Sequence, residues 1–149
     1  MTTTPATRWD LLAVRAKRRW HDAQRDLVQA KETLRLAKVK QQQVQRMVSS
    51  YHERAVIRQQ TGRLVGDVSL GMHFLGQLST VLKGAEQEVA IGERRVERAQ
   101  KLAAEAKLAW DKVEQLEQRQ SARLHRAAHQ KEQKGFDQLA LLRYHQRQT

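Results

Sequence analysis

The chain has 149 residues, a net charge of +12, one proline and no cysteine. These values exclude disulfides and thiolate metal sites, and a mixture with 30% charged and only 5% aromatic residues is the composition of long helices, not of a mixed globular core. No apolar run approaches the roughly 18 residues that cross a bilayer, and Met1 to Trp9 lacks the apolar stretch of a signal peptide, so a cytoplasmic protein is expected.

The first helix is expected over about residues 5–60. Thr4 before Pro5, or Thr7 with Asp10 three residues on, supplies a start signal. From Trp9 onward, positions spaced 4, 3, 4, 3 are apolar: Trp9, Ala13, Ala16, Trp20, Ala23, Leu27, Ala30, Leu34, Ala37, Gln41, Val44, Val48, Tyr51, Ala55. Gln41 is the polar member. A helix turns once per 3.6 residues, so a sustained 3.5-residue repeat keeps one stripe on a partner helix by supercoiling. Some 50 residues at 1.5 Å each give a helix of about 75 Å.

Gly62, Gly66 and Gly71 then punctuate the pattern, and a turn is expected over about residues 61–70, with Asp67 or Ser69 capping the helix after it. The apolar Leu64, Val65, Val68 and Leu70 suggest that this turn folds back on the end of the hairpin.

A second helix is expected over about residues 71–146. Its seam reads Leu75, Leu78, Leu82, Ala85, Val89, Gly92, Val96, Ala99, Ala103, Ala106, Trp110, Val113, Glu117, Gln120, Leu124, Ala127. Gly76, Gly84 and Gly92 each cost about 1 kcal/mol relative to alanine. In both seams small residues recur in alternate layers, which lets two helices approach closely. With the turn centred near Gly66, residue i faces about residue 132 − i, and Trp20 falls near Trp110. The expected fold is therefore all-α: a single domain formed by a long antiparallel two-helix coiled-coil hairpin. The second helix outruns the first, and its C-terminal overhang, His125 to Gln148, carries Phe136, Leu139, Leu142 and Tyr144. Apolar residues on an unpartnered helix suggest a docking surface.

Charge is uneven. Residues 1–66 hold 14 Lys/Arg and 5 Asp/Glu, residues 67–149 hold 14 and 11, and no acidic residue lies between Thr33 and His52. A basic surface suits nucleic acid, an anionic membrane or an acidic protein. Arg35, Lys38, Lys40 and Arg46 are the candidate phosphate contacts, but no nucleic-acid module surrounds them. Catalysis has little foothold. His125 and His129 share the i, i+4 spacing of a metal pair, without a third ligand or the glutamate of a zincin motif. No phosphate-binding glycine loop occurs, and a two-helix hairpin offers no water-excluding cavity. A non-enzyme without cofactor or metal is expected.

The C-terminal half carries a more specific signal. The segment from Leu116 through Arg119 and Gln120 to Ala122, then Glu132-Gln133-Lys134-Gly135-Phe136-Asp137-Gln138-Leu139-Ala140, then Arg143, resembles the tail of the flagellar export protein FliJ family. Gln138 stands where that tail is usually acidic. Phe74-Leu75-Gly76-Gln77-Leu78 looks like the family's motif at the start of the second helix. The stalk proteins of virulence type III secretion share this layout. The resemblance implies a stalk, similar to that of rotary ATPases, whose joined-termini end inserts into a hexameric export ATPase and activates it. It also implies a link to the membrane-embedded export gate, hence a peripheral position at the inner face of the cell membrane, and contacts with export substrates or their chaperones. It assigns the gate contact to Phe74 and Leu78, and the ATPase contact to Arg119, Gln120, Arg123, Gln133, Lys134, Phe136, Leu139 and Arg143, with no nucleic acid among the partners. The alternatives are a basic nucleic-acid-binding coiled coil and a self-associating structural tether.

Overall fold

The computed structural model describes residues 8–62 and 65–148. The candidate caps Thr4 and Thr7, the proline between them, Arg63 and Leu64 lie outside the described residues. Two helices account for nearly everything that is described: α1, Arg8–Gln60, and α2, Val65–Gln148. They pack against each other as a helical hairpin, and among the described residues there is no strand. The chain divides into two compact units, one formed by Met1–Trp20 with Glu105–Thr149, the other by His21–Ala104.

α1 has no proline or glycine in its 53 residues, and its ends carry charges that complement the helix dipole: Asp10 in the first turn and Arg58 in the last. It stops through a local device. The Thr61 amide donates to the Ile57 carbonyl at 3.2 Å, and the Thr61 hydroxyl donates to the carbonyls of Ile57 at 3.2 Å and Arg58 at 3.1 Å. Gly62 comes next with φ of 70°, the left-handed conformation that ends many helices and that a side chain disfavours.

The turn is shorter than expected. α2 begins at Val65, so residues 65–70 are helical, and Asp67 and Ser69 fall inside α2 instead of capping it. Packing accounts for the early start. Val68 and Gly71 are half-buried and extend the seam back from Leu75 with the same 3, 4 spacing. A β-carbon at Gly71 would lie 3.3 Å from the Tyr51 hydroxyl oxygen, so the bare glycine lets the helices close up there. Leu70, by contrast, is 72% exposed and does not fold back.

In the His21–Ala104 unit the seam is a narrow stripe. Val44, Ala85, Val89 and Ala103 are buried, and Gly92 sits against Leu34, whose Cδ1 would be 3.1 Å from an added β-carbon. Small residues thus occupy the tightest layers, as the alternation of sizes requires. Register follows the turn at Gly62, not at Gly66. Leu34 meets Gly92 instead of Arg98, and Tyr51 meets Phe74 instead of Val81. Lys40 and Glu88 form an ion pair between the helices, at 3.4 Å, with both side chains exposed. The remaining pairs among the described residues, such as Arg35 with Glu32 at 2.7 Å, lie within one helix and contribute little.

In the other unit, Trp20 and Trp110 stack with ring centroids 5.1 Å apart and planes tilted by 33°. The Lys107 ammonium lies 4.3 Å from the Trp110 ring centre and 4.9 Å from that of Trp20. The two tryptophans meet as the seam alignment anticipates. Glu117 and Gln120 remain half-buried, but Leu124 is 60% exposed and Ala127 is exposed, so the seam ends two positions before the expected point. The reason is the reach of α1. Trp9, its second described residue, already lines a groove with Leu116, Arg119, Gln120 and Arg123.

Candidate partner-binding surfaces

Phe74 and Leu78 are four residues apart on α2, yet their surroundings differ. Phe74 stands beside the seam, 45% exposed, with its ring centroid 4.9 Å from that of Tyr51 at an angle of 57°. Tyr51 packs against Phe74 and nearly half of Phe74 stays open to solvent, a preorganised aromatic anchor. Leu78 lies on the seam itself and is half-buried. What remains of it for another protein is the part that α1 does not cover.

The tail residues are carried on one continuous helix. Arg119 and Arg123 are exposed and flank Trp9, and Gln120 beside them is half-buried on the seam. Gln133, Lys134 and Arg143 are exposed, as are Phe136 at 69% and Leu139 at 54%. From Ser121 to Gln148 every described residue except Gly135 is exposed. Each residue advances about 100° around a helix. Arg119, Arg123, Gln133 and Lys134 therefore share one face, whereas Phe136, Leu139, Leu141, Leu142 and Tyr144 point to several sides. A helix end that is apolar on several sides suits enclosure by a partner better than contact along a single stripe.

Two features of this region escape a reading of the sequence. One is Lys107, whose ammonium caps the paired indoles; its i−3 position relative to Trp110 is the signal that was there to use. The other is an acidic cluster where α1 begins. Asp10 is half-buried, the one such α1 residue outside the seam, and Glu117 occupies a seam position. The Glu117 carboxyl is raised above its ordinary value, first by a hydrogen bond with Asp10, then by burial and by the charges of Asp10 and Glu114. Among the described residues no group of three His, Asp or Glu side chains is placed to hold a metal ion. No described helix is long and apolar enough to cross a membrane.

This arrangement, a two-helix hairpin with an aromatic anchor near its turn and a bare, basic and apolar α2 tail, meets a direct comparison. The sequence matches the protein family described as Flagellar FliJ protein over residues 8–149. The chain belongs to the FliJ family. No curated protein and no solved structure matches it. Membership makes the chain a component of the flagellar export apparatus, in a family whose role there is non-catalytic, and associates it with the export machinery. Within this FliJ-family hairpin, Phe74 at 45% and the tail's Phe136 and Leu139 at 69% and 54% are left exposed.

Proposed function

We propose that this FliJ-family protein is the central stalk of the export ATPase, binding and activating the hexamer through its α2 tail and coupling it to the membrane export gate through Phe74 and Leu78. The observation that carries the reading is the tail: 28 residues, from Ser121 to Gln148, of continuous helix, with apolar side chains on several sides near its end and arginines at its base. Six subunits around one helix present different faces to it, so a stalk with unlike sides biases the subunits unequally. Arg119, Gln120 and Arg123 would meet the ring's edge, and Phe136, Leu139 and Arg143, with Gln133 and Lys134, its interior. A role in carrying export substrates or their chaperones fits the same exposed helices.

The test is steady-state ATP hydrolysis by the cognate export ATPase, titrated with the full chain and with a chain ending at Leu124. Stimulation that saturates well below one stalk per ATPase subunit, and is lost with the shortened chain, is expected. Equal stimulation by the shortened chain refutes the tail's role. No stimulation by the full chain at any ratio refutes the stalk reading.

A further inference from the structure

A groove beside the hairpin turn carries chemistry that the stalk reading does not use. Its volume is about 250 Å³, and Tyr51, Ala55 and Val56 of α1 line it with Val68, Gly71, Met72 and Leu75 of α2. Among the described residues the polar lining consists of His52, Arg58, Gln59 and the Tyr51 hydroxyl, with no carboxylate among them. The sequence explains the opening. The seam position after Ala55 falls on Arg58, which is exposed, and Gly71 supplies no side chain to the opposite wall. Among the described residues Arg58 forms no ion pair.

Val56 and Met72 form the rims, 53% and 67% exposed. A methionine rim adapts to different apolar shapes. An apolar cavity of about 150 Å³ already holds a benzene ring, so this groove accepts a leucine or phenylalanine side chain. Met72 and Phe74 are two residues apart and so about 200° apart around α2. The groove and the exposed side of Phe74 are therefore separate surfaces. Tyr51 touches both, its ring against Phe74 and its hydroxyl over Gly71.

We infer that this groove is a docking site for an acidic amphipathic helix of a protein partner, with an apolar anchor between Val56 and Met72 and a carboxylate on Arg58. Charge selects this occupant. The lining is apolar and basic, and a second copy of the chain would bring a net +12 against +12. Helix-in-groove recognition uses this combination of apolar anchors and complementary rim charges.

The experiment uses the full chain and two designed, fluorescein-labelled amphipathic helical peptides with the same Leu and Phe anchors, one with Glu flanks and one with Lys flanks. Anisotropy should show saturable binding of the Glu peptide and at least about ten-fold weaker binding of the Lys peptide. Met72→Glu and Arg58→Glu, both at exposed positions, should each weaken the Glu peptide about ten-fold while helicity stays unchanged. Val28→Ala, at an exposed apolar position of α1 outside the groove, should leave it unchanged, which separates this site from general apolar adhesion. A photoreactive anchor on the Glu peptide should crosslink to Val56 or Met72. Equal binding of both peptides, indifference to Met72→Glu and Arg58→Glu, or crosslinks elsewhere would overturn the assignment. So would a doubled molar mass in light scattering that Met72→Glu abolishes, which would make a second copy the occupant.

Discussion

Replacing Trp20 by alanine tests the account of what fixes the register of the Met1–Trp20 and Glu105–Thr149 unit. Truncating a fully buried tryptophan costs about 3–5 kcal/mol; Trp20 is half-buried, which reduces the burial loss to about 2 kcal/mol. The stacked partner at 5.1 Å adds about 1 kcal/mol. Trp20→Ala, and by the same reasoning Trp110→Ala, should therefore cost about 3 kcal/mol each. The double variant should cost about 5 and not 6, because the ring–ring term is lost only once. Lys107→Ala should cost about 0.5 kcal/mol in the native background and almost nothing in the double tryptophan variant, since its ammonium lies 4.3 Å from the Trp110 ring centre and 4.9 Å from that of Trp20. Urea unfolding monitored by far-UV circular dichroism measures all the terms. If the two tryptophan substitutions add to within about 0.3 kcal/mol, the rings are neighbours without interaction, and register is set elsewhere.

Two further outcomes can be read in the same assay or beside it. Gly84→Ala should stabilise by about 1 kcal/mol, because an added β-carbon meets nothing within 4 Å, whereas Gly92→Ala should show no such gain, its β-carbon lying 3.1 Å from Leu34 Cδ1; equal gains would mean that the Leu34 contact is slack. For pH the sign comes from Glu117, whose carboxyl is held above its usual 4.5 by Asp10. Its stabilising contribution is complete below the unfolded-state value and is lost as pH rises through the higher folded-state value. Amide exchange in the first turns of α1 should therefore quicken, relative to the rest of the hairpin, on going from acid to neutral pH. Glu117→Gln should flatten that dependence. A pH response unchanged by Glu117→Gln would place its source in another group.

Some of this architecture can be read from the residues alone, and the physical reason is periodicity. Every α1 seam position from Trp9 to Ala55 is half-buried or buried, and the α2 seam holds from Leu75 to Gln120. A 3.5-residue repeat sustained over seven heptads has one stable partner arrangement. What periodicity leaves open is phase along the axis. Gly62, Gly66 and Gly71 are equally good breakers on paper, and only the positive φ at Gly62 decides where the chain reverses. That choice moves Leu34 and Tyr51 to earlier α2 partners, while Trp20 keeps Trp110. It also decides that Val68 packs. At the candidate sites the limit is similar. Leu78 belongs to the seam by its spacing, so its half-burial was legible, but the Tyr51 ring against Phe74 depends on register and was not. The pairing of Asp10 with Glu117 joins residues from opposite ends of the hairpin's sequence, which no local pattern specifies.

The exposed apolar residues distinguish function from packing. Two helices bury one stripe each, so solitary exposed side chains such as Val28 and Leu108 follow from geometry and need no partner. Phe136, Leu139, Leu141, Leu142 and Tyr144 are different: five large apolar side chains within nine residues, each at least half exposed, on a helix whose seam has already ended. Hairpin packing gains nothing from them, and an exposed cluster of that density favours association. The same criterion sets apart Val56 and Met72, which border a recess with basic and apolar walls. The tail and the turn thus carry surfaces of different chemistry, one apolar on several sides and one a single groove facing a cation. A ring that encloses a helix suits the first, and a single acidic helix suits the second.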